Sequence, residues 1–217
     1  MKASRFFLPC LVILITLSLL ACQAALIKDW VTQPGGILYQ DEFSDTTSGW
    51  ERASTNDGSM DYYHDGFRIT VIRPQYDLWS LAGVRFRDVR IEVDAGRLAG
   101  PLANRYGVVC RYQSPSSFYF FIISSDGYYA VGKVIQGNYS LLSGEMMTFS
   151  PAIVTGMGPN HLQVDCTGGQ LSFYVNQQPL ALLQDGSIAD GDIGLIAGSF
   201  DEGGVDVIFD NLVVLKP

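Results

Sequence analysis

The sequence predicts an all-β fold, a sandwich or barrel built from many short strands. Short runs of β-branched and aromatic residues alternate with clusters of Gly, Asp and Asn, which is the pattern of strands separated by turns. From residue 37 onward, no window carries the apolar period of an amphipathic helix. The segment Ser125-Asp126-Gly127, between two aromatic runs, is typical of a hairpin turn because Asp and Gly tolerate positive φ angles. Many short strands of this kind indicate a sandwich or barrel.

The composition narrows the class of protein further. The 217 residues are 47% hydrophobic and 17% charged, so the chain has enough apolar surface for a packed core and is not a disordered tail. Gly shows no fixed period, and Ala, Glu, Lys and Leu do not dominate, which excludes collagen-like and coiled-coil chains. The net charge of −8 has the wrong sign for binding a phosphate backbone, so we expect no nucleic-acid partner.

The individual strands follow from runs of high β-propensity that are bounded by turn residues. In chain order, the predicted strands are Ile37–Phe43, Met60–Tyr63, Gly66–Arg73, Asp77–Ala82, Val84–Ala95, Tyr106–Tyr112, Phe118–Ser124, Tyr128–Val134, His161–Cys166, Leu171–Val175, Leu180–Gln184, Gly191–Ser199 and Val205–Leu215.

Alternation of apolar and polar residues assigns the faces of the longer strands. In the run Val89–Ala95, the apolar residues face the core, whereas Arg90, Glu92 and Asp94 face outward. The run Phe118–Ile123 is apolar on both faces. That pattern suits a central strand whose second face is also covered or binds a ligand.

The N-terminal residues are typical of a signal for export and are not expected to be part of the folded domain. Lys2 and Arg5 form a positive start, and a run of apolar residues follows that is too short for a comfortable membrane span. The segment Leu19–Cys22 resembles the bacterial lipobox, which implies that Cys22 becomes the mature N-terminus and carries a lipid on its sulfur. The alternative is an ordinary signal peptide cut near Ala24 or Ala25.

The resulting organisation is a lipoprotein signal peptide over residues 1–21, a tether over residues 22–36 and one β domain over residues 37–217. Gln23 follows the lipobox cysteine where an Asp often retains lipoproteins at the inner membrane. We therefore expect an exported protein, held at the lipid membrane by its acylated N-terminus, on the extracytoplasmic face or the cell surface.

Two of the four cysteines remain after export and lipidation. Cys110 and Cys166 both lie in strand-like runs, and an exported chain with two remaining cysteines favours a disulfide. The alternative is two buried free thiols. Alternation places both cysteines and Val108 on core faces, and it places Val109 and Arg111 on the opposite, outward face.

Several segments resemble the concanavalin A-like jelly rolls of bacterial surface proteins. They are Asp41–Asp45 followed by Ser48-Gly49-Trp50, then Tyr106–Val108, Tyr119–Ile122 and Asp126–Tyr128, and finally Gly194–Ala197 and Phe209–Val214. The resemblance covers Ile37 to Pro217 and is closest to the 3-keto-disaccharide hydrolase and laminin G-like branch. It implies a jelly-roll β-sandwich of two antiparallel sheets, a fold that carries lectins, hydrolases and adhesion modules alike.

A hydrolytic activity would need two positioned carboxyl groups. The laminarinase-type motif of this superfamily places Glu, Asp and Glu at alternating positions of one strand. Here Glu92 and Asp94 match the first two positions, but Gly96 stands at the third, where the acid/base residue is expected. The alternative for Glu92 and Asp94 is that they are charged outward positions of a sheet.

The same resemblance implies a structural calcium ion where the first and last strands meet. The matching residues are Asp41, Glu42 and Asp210, whose carboxylates are hard oxygen ligands of the kind that Ca²⁺ prefers. The alternative is that these acids are solvated at strand ends.

Carbohydrate or cell-surface glycan binding without turnover is the leading functional hypothesis. Sugars are held by flat aromatic rings and by polar side chains that bond to their hydroxyl groups. The polar candidates are Arg90, Glu92 and Arg111, and the aromatic candidates are Trp79, Tyr112, Tyr119 and Tyr128. Each aromatic ring has an alternative as a core residue. The competing functions are a 3-keto-disaccharide type of glycoside hydrolase and a structural or protein-interaction module.

Overall fold

The computed structural model describes the chain from Gln33 to Pro217. The predicted signal peptide, the lipidation site at Cys22 and most of the predicted tether lie outside the described residues. Within this range, no helix is long and apolar enough to cross a membrane. The strands are β1 Ile37–Asp41, β2 Ala53–Ser54, β3 Gly58–Tyr63, β4 Gly66–Val71, β5 Asp77–Phe86, β6 Val89–Ala99, β7 Asn104–Ser114, β8 Ser117–Ile123, β9 Tyr128–Ile135, β10 Asn138–Leu141, β11 Thr148–Phe149, β12 Asn160–Thr167, β13 Gln170–Val175, β14 Gln178–Gln184, β15 Gly191–Ser199 and β16 Val205–Leu215.

The strands form two antiparallel sheets that pack face to face as a sandwich. The nine-stranded sheet has the order β14-β13-β12-β6-β16-β4-β3-β2, with β1 also paired to β16. The seven-stranded sheet has the order β10-β9-β8-β7-β15-β5, with β11 also paired to β9. The first and last strands lie side by side, as Asp41 pairs with Leu212.

Most predicted strands are confirmed, with differences at their ends. The predicted break near Gly83 is wrong, because β5 continues through Gly83 and turns only at Arg87 and Asp88. Gly83 adopts φ +73°, a conformation that glycine accepts without strain, and the strand continues through it with a register shift against β15 instead of ending. Three short strands were not predicted from the sequence, namely β2, β10 and β11.

Tight turns set the register of the hairpins. Between β13 and β14, Asn176 and Gln177 both have positive φ, at 51° and 66°. Two consecutive residues in this region match the right-handed twist of the flanking strands. Gly127, at φ +99°, confirms the hairpin predicted between β8 and β9.

The main core lies between the two sheets. Ile91 and Val93 of β6 are fully buried against it, as are Phe121 of β8 and Phe173 of β13. The predicted inward set of the run Val89–Ala95 is confirmed, since all of its apolar members are buried. Burial of each large apolar side chain contributes roughly 1.5–3 kcal/mol.

One disulfide crosses this core. Cys110 of β7 and Cys166 of β12 are joined by an S–S bond of 1.98 Å, which confirms the predicted pairing. Because β7 and β12 belong to different sheets, the bond links the two layers of the sandwich.

Candidate functional site: a cleft on the seven-stranded sheet

The seven-stranded sheet carries a second apolar cluster on its outer face. Phe118, Phe120 and Ile122 alternate along β8 with the inward residues of the main core, and they pack with Val109 and Ile196 of neighbouring strands. The prediction that both faces of this strand are apolar is therefore confirmed. A strand buried on both sides needs something to cover its second face, and here side chains from the sheet itself supply much of the cover.

Five rings form an aromatic cluster on this outer face: Trp79, Tyr112, Phe118, Phe120 and Tyr139. Their centroids are 5.5–6.5 Å apart, within the range of favourable edge and offset contacts. The Trp79 indole Nε1–H donates to the Tyr112 hydroxyl at 3.3 Å, which fixes the orientation of both rings. Tyr139 stays 57% exposed, so the cluster is open to solvent at that ring.

A cleft of about 630 Å³ opens beside the aromatic cluster. Side chains of the sheet face and of three loops form its walls. The lining residues are Gln75, Tyr76, Asp77, Trp79, Arg105, Phe120, Ile122, Ala130, Tyr139, Ser140, Leu141, Met147, Ile196 and Phe200. This size is within the range of small-molecule sites, which are mostly apolar with a few polar groups.

The polar groups at one end of the cleft are Asp77 and Arg105. The Arg105 Nε–H donates to Asp77 Oδ1 at 2.5 Å, and the guanidinium lies over the Phe200 ring with 4.7 Å between Cζ and the ring centroid. Both residues pair with Gly198 in the strand between them, so the ion pair spans that glycine. A Cβ atom at Gly198 would overlap Asp77 Oδ1 and lie 2.7 Å from Arg105 Nε. Glycine at position 198 is therefore what makes room for the pair.

Phe120 is accommodated by a second glycine. Phe120 pairs with Gly132 across β8 and β9, and a Cβ atom at Gly132 would overlap the Phe120 ring. The Phe120 ring can therefore lie low over the sheet, where it forms part of the cleft wall.

A β-bulge in β7 changes which side chains lie on the outer face of the sheet. Tyr112 pairs with Asp192 and Val109 pairs with Gly194, so Cys110 and Arg111 together oppose one residue. Arg111 takes φ 52°, and the alternation shifts by one position. The predicted candidate Tyr112 consequently joins the outer face.

The same bulge overturns the prediction that Arg111 faces outward. Its side chain is only 1% exposed. Its guanidinium donates to the carbonyl oxygens of Arg87 at 3.0 Å, Gly168 at 2.9 Å and Ile188 at 2.8 Å. Burial lowers the pKa of Arg111, with Asp88 opposing that shift. Arg111 thus joins three segments of backbone inside the protein and cannot contact a ligand on the surface.

The other predicted aromatic candidates are divided between the core and the surface. Trp79 lines the cleft. Tyr119 does not, because it faces the main core, where its hydroxyl donates to Asp185 Oδ1 at 2.6 Å and burial raises its pKa to about 12. Tyr128 is 39% exposed, makes an edge contact with the Phe149 ring at 5.7 Å between centroids and lies outside the cleft lining.

The predicted polar candidates of β6 lie on the other side of the molecule. Arg90, Glu92 and Asp94 occupy the outer face of the nine-stranded sheet, where Arg90 forms an ion pair with Asp165. The two sheets of a sandwich pack about 10 Å apart, so these residues cannot share a ligand with Trp79. The predicted combination of Arg90, Glu92 and Trp79 in one site is wrong for that reason.

Glu92 and Asp94 are engaged with neighbouring side chains of the sheet. His161 Nδ1 lies 2.8 Å from Asp94 Oδ1, Asn211 Nδ2 donates to Asp94 Oδ2 at 2.9 Å, and His161 Nε2 lies 3.8 Å from Glu92 Oε2. Neither carboxylate lines the cleft. This geometry agrees with the alternative of charged outward positions.

The carboxylates predicted to bind calcium do not form a matching ligand set. Asp41 Oδ1 accepts the backbone N–H of Phe43 at 2.7 Å, and Oδ2 accepts Trp50 Nε1–H at 3.0 Å and the Tyr39 hydroxyl at 3.2 Å. Asp210 accepts the N–H of the residue that follows it. Among residues 33–217, no group of three or more His, Cys, Asp or Glu side chains is placed to hold a metal ion. The calcium site at Asp41, Glu42 and Asp210 stays a prediction that these contacts do not favour.

Several residues of the cleft were not among the candidates predicted from the sequence. Alternation could have placed Asp77 and Trp79 on one face of β5, and Arg105 and Val109 on one face of β7, but it could not have shown that these two strands lie in the same sheet. Tyr139 carried no such signal because β10 has only four residues and lies between the predicted strands Tyr128–Val134 and His161–Cys166. Phe200 and Met147 reach the cleft from loops, whose course a strand pattern does not predict.

Comparison with known proteins finds the fold but no family. No family model matches the sequence. No curated protein matches it either. The solved structures similar to it include a carbohydrate-binding module, CBM66, from Bacillus subtilis, with 17% identity, a TM-score of 0.63 and coverage of 78% of this chain and 96% of that one.

Two further structures are similar over most of their length. One is a Bacillus subtilis protein with a galectin-like fold, with 13% identity, a TM-score of 0.65 and coverage of 85% of this chain and 97% of that one. The other is a GH16 protein of Bacteroides ovatus in complex with an oligosaccharide product, with 9% identity, a TM-score of 0.61 and coverage of 82% and 100%. Together with the two antiparallel sheets, these similarities identify the fold as the predicted jelly-roll β-sandwich.

Proposed function

We propose that this protein binds carbohydrate in the cleft of the seven-stranded sheet and does not cleave it. The observation that carries this proposal is the cleft itself, in which Trp79 and Tyr139 stand beside the Asp77–Arg105 pair. A sugar ring has apolar faces that stack on aromatic rings and an edge of hydroxyl groups that needs donors and acceptors. The cleft offers both kinds of contact within one cavity.

Binding without turnover is supported by the carboxylates of the cleft. Hydrolysis of a glycosidic bond uses two carboxyl groups placed on either side of the bond. Of the described residues that line the cleft, Asp77 is the only one with a carboxyl group, and an arginine neutralises it. Glu92 and Asp94, the predicted hydrolytic pair, lie on the other sheet. The glycoside hydrolase hypothesis therefore has no matching geometry in the cleft.

Display outside the cell is the second part of the proposal. The lipobox-like segment ending at Cys22 and the disulfide across the core both suit an exported protein. A lipid on Cys22 would hold the sandwich at the membrane surface with its cleft free to meet glycans. Metabolic labelling with a radioactive fatty acid tests this part, because Cys22→Ser should abolish the label.

The binding proposal is tested with the full chain, exported from a bacterial host and purified in detergent. A glycan array, followed by calorimetry on the glycans that bind, should show one related group of ligands. Trp79→Ala and Tyr139→Ala should each weaken binding about tenfold or more, because stacking on an aromatic ring is lost. Tyr63→Ala is the matched control, since Tyr63 is a 40% exposed aromatic on the nine-stranded sheet.

The results separate the candidate functions. Unchanged affinity in Trp79→Ala and Tyr139→Ala would place the glycan site elsewhere on the molecule. If a folded, disulfide-bonded sample binds no glycan on the array, the proposed carbohydrate binding is contradicted.

A protein-interaction module is the second candidate, and one observation favours it. The cleft wall also contains Ile122, Leu141, Met147 and Ile196, which give it an aliphatic side. Met residues adapt to varied apolar partners, so an apolar peptide segment fits this wall. Screening a displayed peptide library on the same sample tests it, with Met147→Ser expected to weaken peptide capture and glycan binding expected to be absent.

A further inference from the structure

The Asp77–Arg105 pair differs from the three arginine–aspartate pairs of the described residues that are joined by two hydrogen bonds. It also differs from Arg73–Asp57 and Arg85–Asp190, which are joined by one contact, because those pairs are far more exposed. Arg90 binds Asp165 through both ends of its fork, with Nε–H donating to Oδ1 at 2.6 Å and Nη2–H donating to Oδ2 at 2.9 Å. The same two-bond arrangement joins Arg52 to Asp61 and Arg68 to Asp206. In each of these pairs both carboxylate oxygens are engaged.

The pair in the cleft uses only one of these two bonds. Arg105 Nε–H donates to Asp77 Oδ1, while Asp77 Oδ2 and both Nη groups of Arg105 make no further hydrogen bond within the described part of the protein. The Arg105 and Asp77 side chains are mostly buried, with 19% and 16% of their surface exposed. Their free atoms are nevertheless accessible, since the Tyr106 hydroxyl is the only enclosed side-chain polar atom without a partner among the described residues. A ligand in the cleft can therefore reach these atoms and form the hydrogen bonds that the protein leaves unfilled.

The surroundings hold the free groups in place. Phe200 supports the flat face of the Arg105 guanidinium, and Gly198 lies beneath the bond between Arg105 and Asp77. Tyr139 stands close enough that burial first, and then Asp77, raise its pKa, so its hydroxyl stays neutral and available as a donor. An acceptor, several donors and an aromatic ring therefore meet at one end of the cleft.

We infer that the Asp77–Arg105 pair binds two adjacent hydroxyl groups of an uncharged sugar ring. One hydroxyl donates to Asp77 Oδ2, and its neighbour accepts from an Arg105 Nη–H group. The inference rests on the proposed carbohydrate function and gives it a substrate class, neutral sugars instead of uronic acids. Asp77 already neutralises Arg105, and its own negative charge repels a sugar carboxylate brought to the same place.

The test uses neutral and acidic polysaccharides on the full chain. The neutral probes are β-glucan, xylan, mannan and levan, and the acidic probes are alginate and polygalacturonate. The wild-type protein should bind one or more neutral probes, with little change between low and high salt, and should not bind the acidic ones.

Substitutions of the pair should then change the selectivity. Asp77→Asn should weaken binding of the neutral probe about tenfold and create measurable, salt-sensitive binding of the acidic probes, because Arg105 is then no longer neutralised. Gly198→Ala should weaken binding of the neutral probe by displacing the pair. Asp165→Asn, in the fully engaged pair on the other sheet, is the matched control and should bind as the wild type does.

Three outcomes overturn the inference in distinguishable ways. If Trp79→Ala loses binding while Asp77→Asn and Arg105→Gln keep wild-type affinity, the pair has no role but the carbohydrate function stands. Wild-type preference for the acidic probes overturns the neutral substrate class. If no polysaccharide binds, the proposed function itself fails. Thermal unfolding of each variant shows which ones are folded. If Gly198→Ala does not fold, Asp77→Asn still tests the role of the pair.

Discussion

The outer face of the nine-stranded sheet carries charged and polar side chains, whereas the outer face of the seven-stranded sheet carries a second apolar cluster. On the first, Arg90 and Asp165 are fully paired with each other. On the second, Phe118 is completely buried although it points away from the main core. Both faces belong to antiparallel sheets of one sandwich, so the difference lies in the side chains and not in the topology.

This difference indicates where a ligand binds. An antiparallel sheet needs only one apolar face to pack, and its second face is usually solvated. The outer face of the nine-stranded sheet follows that rule. The outer face of the seven-stranded sheet departs from it, and the departure coincides with the cleft and with the unfilled hydrogen bonds of Asp77 and Arg105.

Cutting the covalent link between the two sheets should have the largest effect. Replacing Cys110 and Cys166 together by Ser opens a loop with a sequence separation of 56 and should lower the free energy of unfolding by about 4 kcal/mol. Urea unfolding of the oxidised and variant proteins measures the loss. Dithiothreitol should lower the wild-type stability by a similar amount, and a titration that finds two free thiols in untreated protein would contradict the link.

Removing a ring from the outer cluster should have the next largest effect. Phe118→Ala should lower the free energy of unfolding by about 3 kcal/mol or more, as a similar change in the main core would, because Trp79 and Tyr112 lose their contact with the buried ring. Gln163→Ala, at a half-buried outer position of the nine-stranded sheet, should change stability by less than about 0.5 kcal/mol. Similar values for the two variants, measured by urea unfolding, would remove the distinction between the faces.

The two faces also differ in the cost of losing an arginine. Arg111→Ala leaves three backbone carbonyls without their charged donor and should therefore lower the free energy of unfolding by about 2–3 kcal/mol. Arg90→Ala breaks a partly exposed ion pair and should cost less than about 1 kcal/mol. Thermal unfolding of both variants checks the order, and an Arg111 variant as stable as the Arg90 variant would show that water replaces the guanidinium.

The fold was largely predictable, and the site was predictable only in part. Alternation along β6 and β8 gave the correct buried faces because those strands are regular. It failed at Arg111 because a bulge shifts the period, and a bulge with a non-glycine residue at positive φ leaves no mark in the residue types. It also could not tell which sheet a strand joins, so residues of β6 and β5 were combined in one site although they lie in different sheets.

The smallest of these losses of stability is expected from Asp185, whose carboxyl group joins the two layers of the sandwich and makes the stability depend on pH. Burial raises the pKa of this carboxyl, but Lys133, the Tyr119 hydroxyl and Ser187 donate to it and together hold its pKa well below the usual range. A carboxyl group with a depressed pKa in the folded state stabilises the protein above the unfolded pKa, near 4, and loses that contribution as the pH falls.

Asp185→Asn should therefore lower stability by about 1–2 kcal/mol at neutral pH and flatten the loss that the wild type shows below about pH 4. Urea unfolding across pH 2–7 measures both curves. Asp61→Asn is a useful comparison, because Asp61 pairs with Arg52 on the exposed face of the nine-stranded sheet and its pKa is also lowered. Added salt should screen the contribution of Asp61 and leave that of the enclosed Asp185 largely intact. Equal sensitivity to salt would mean that the contact between the layers is as open to solvent as the polar outer face.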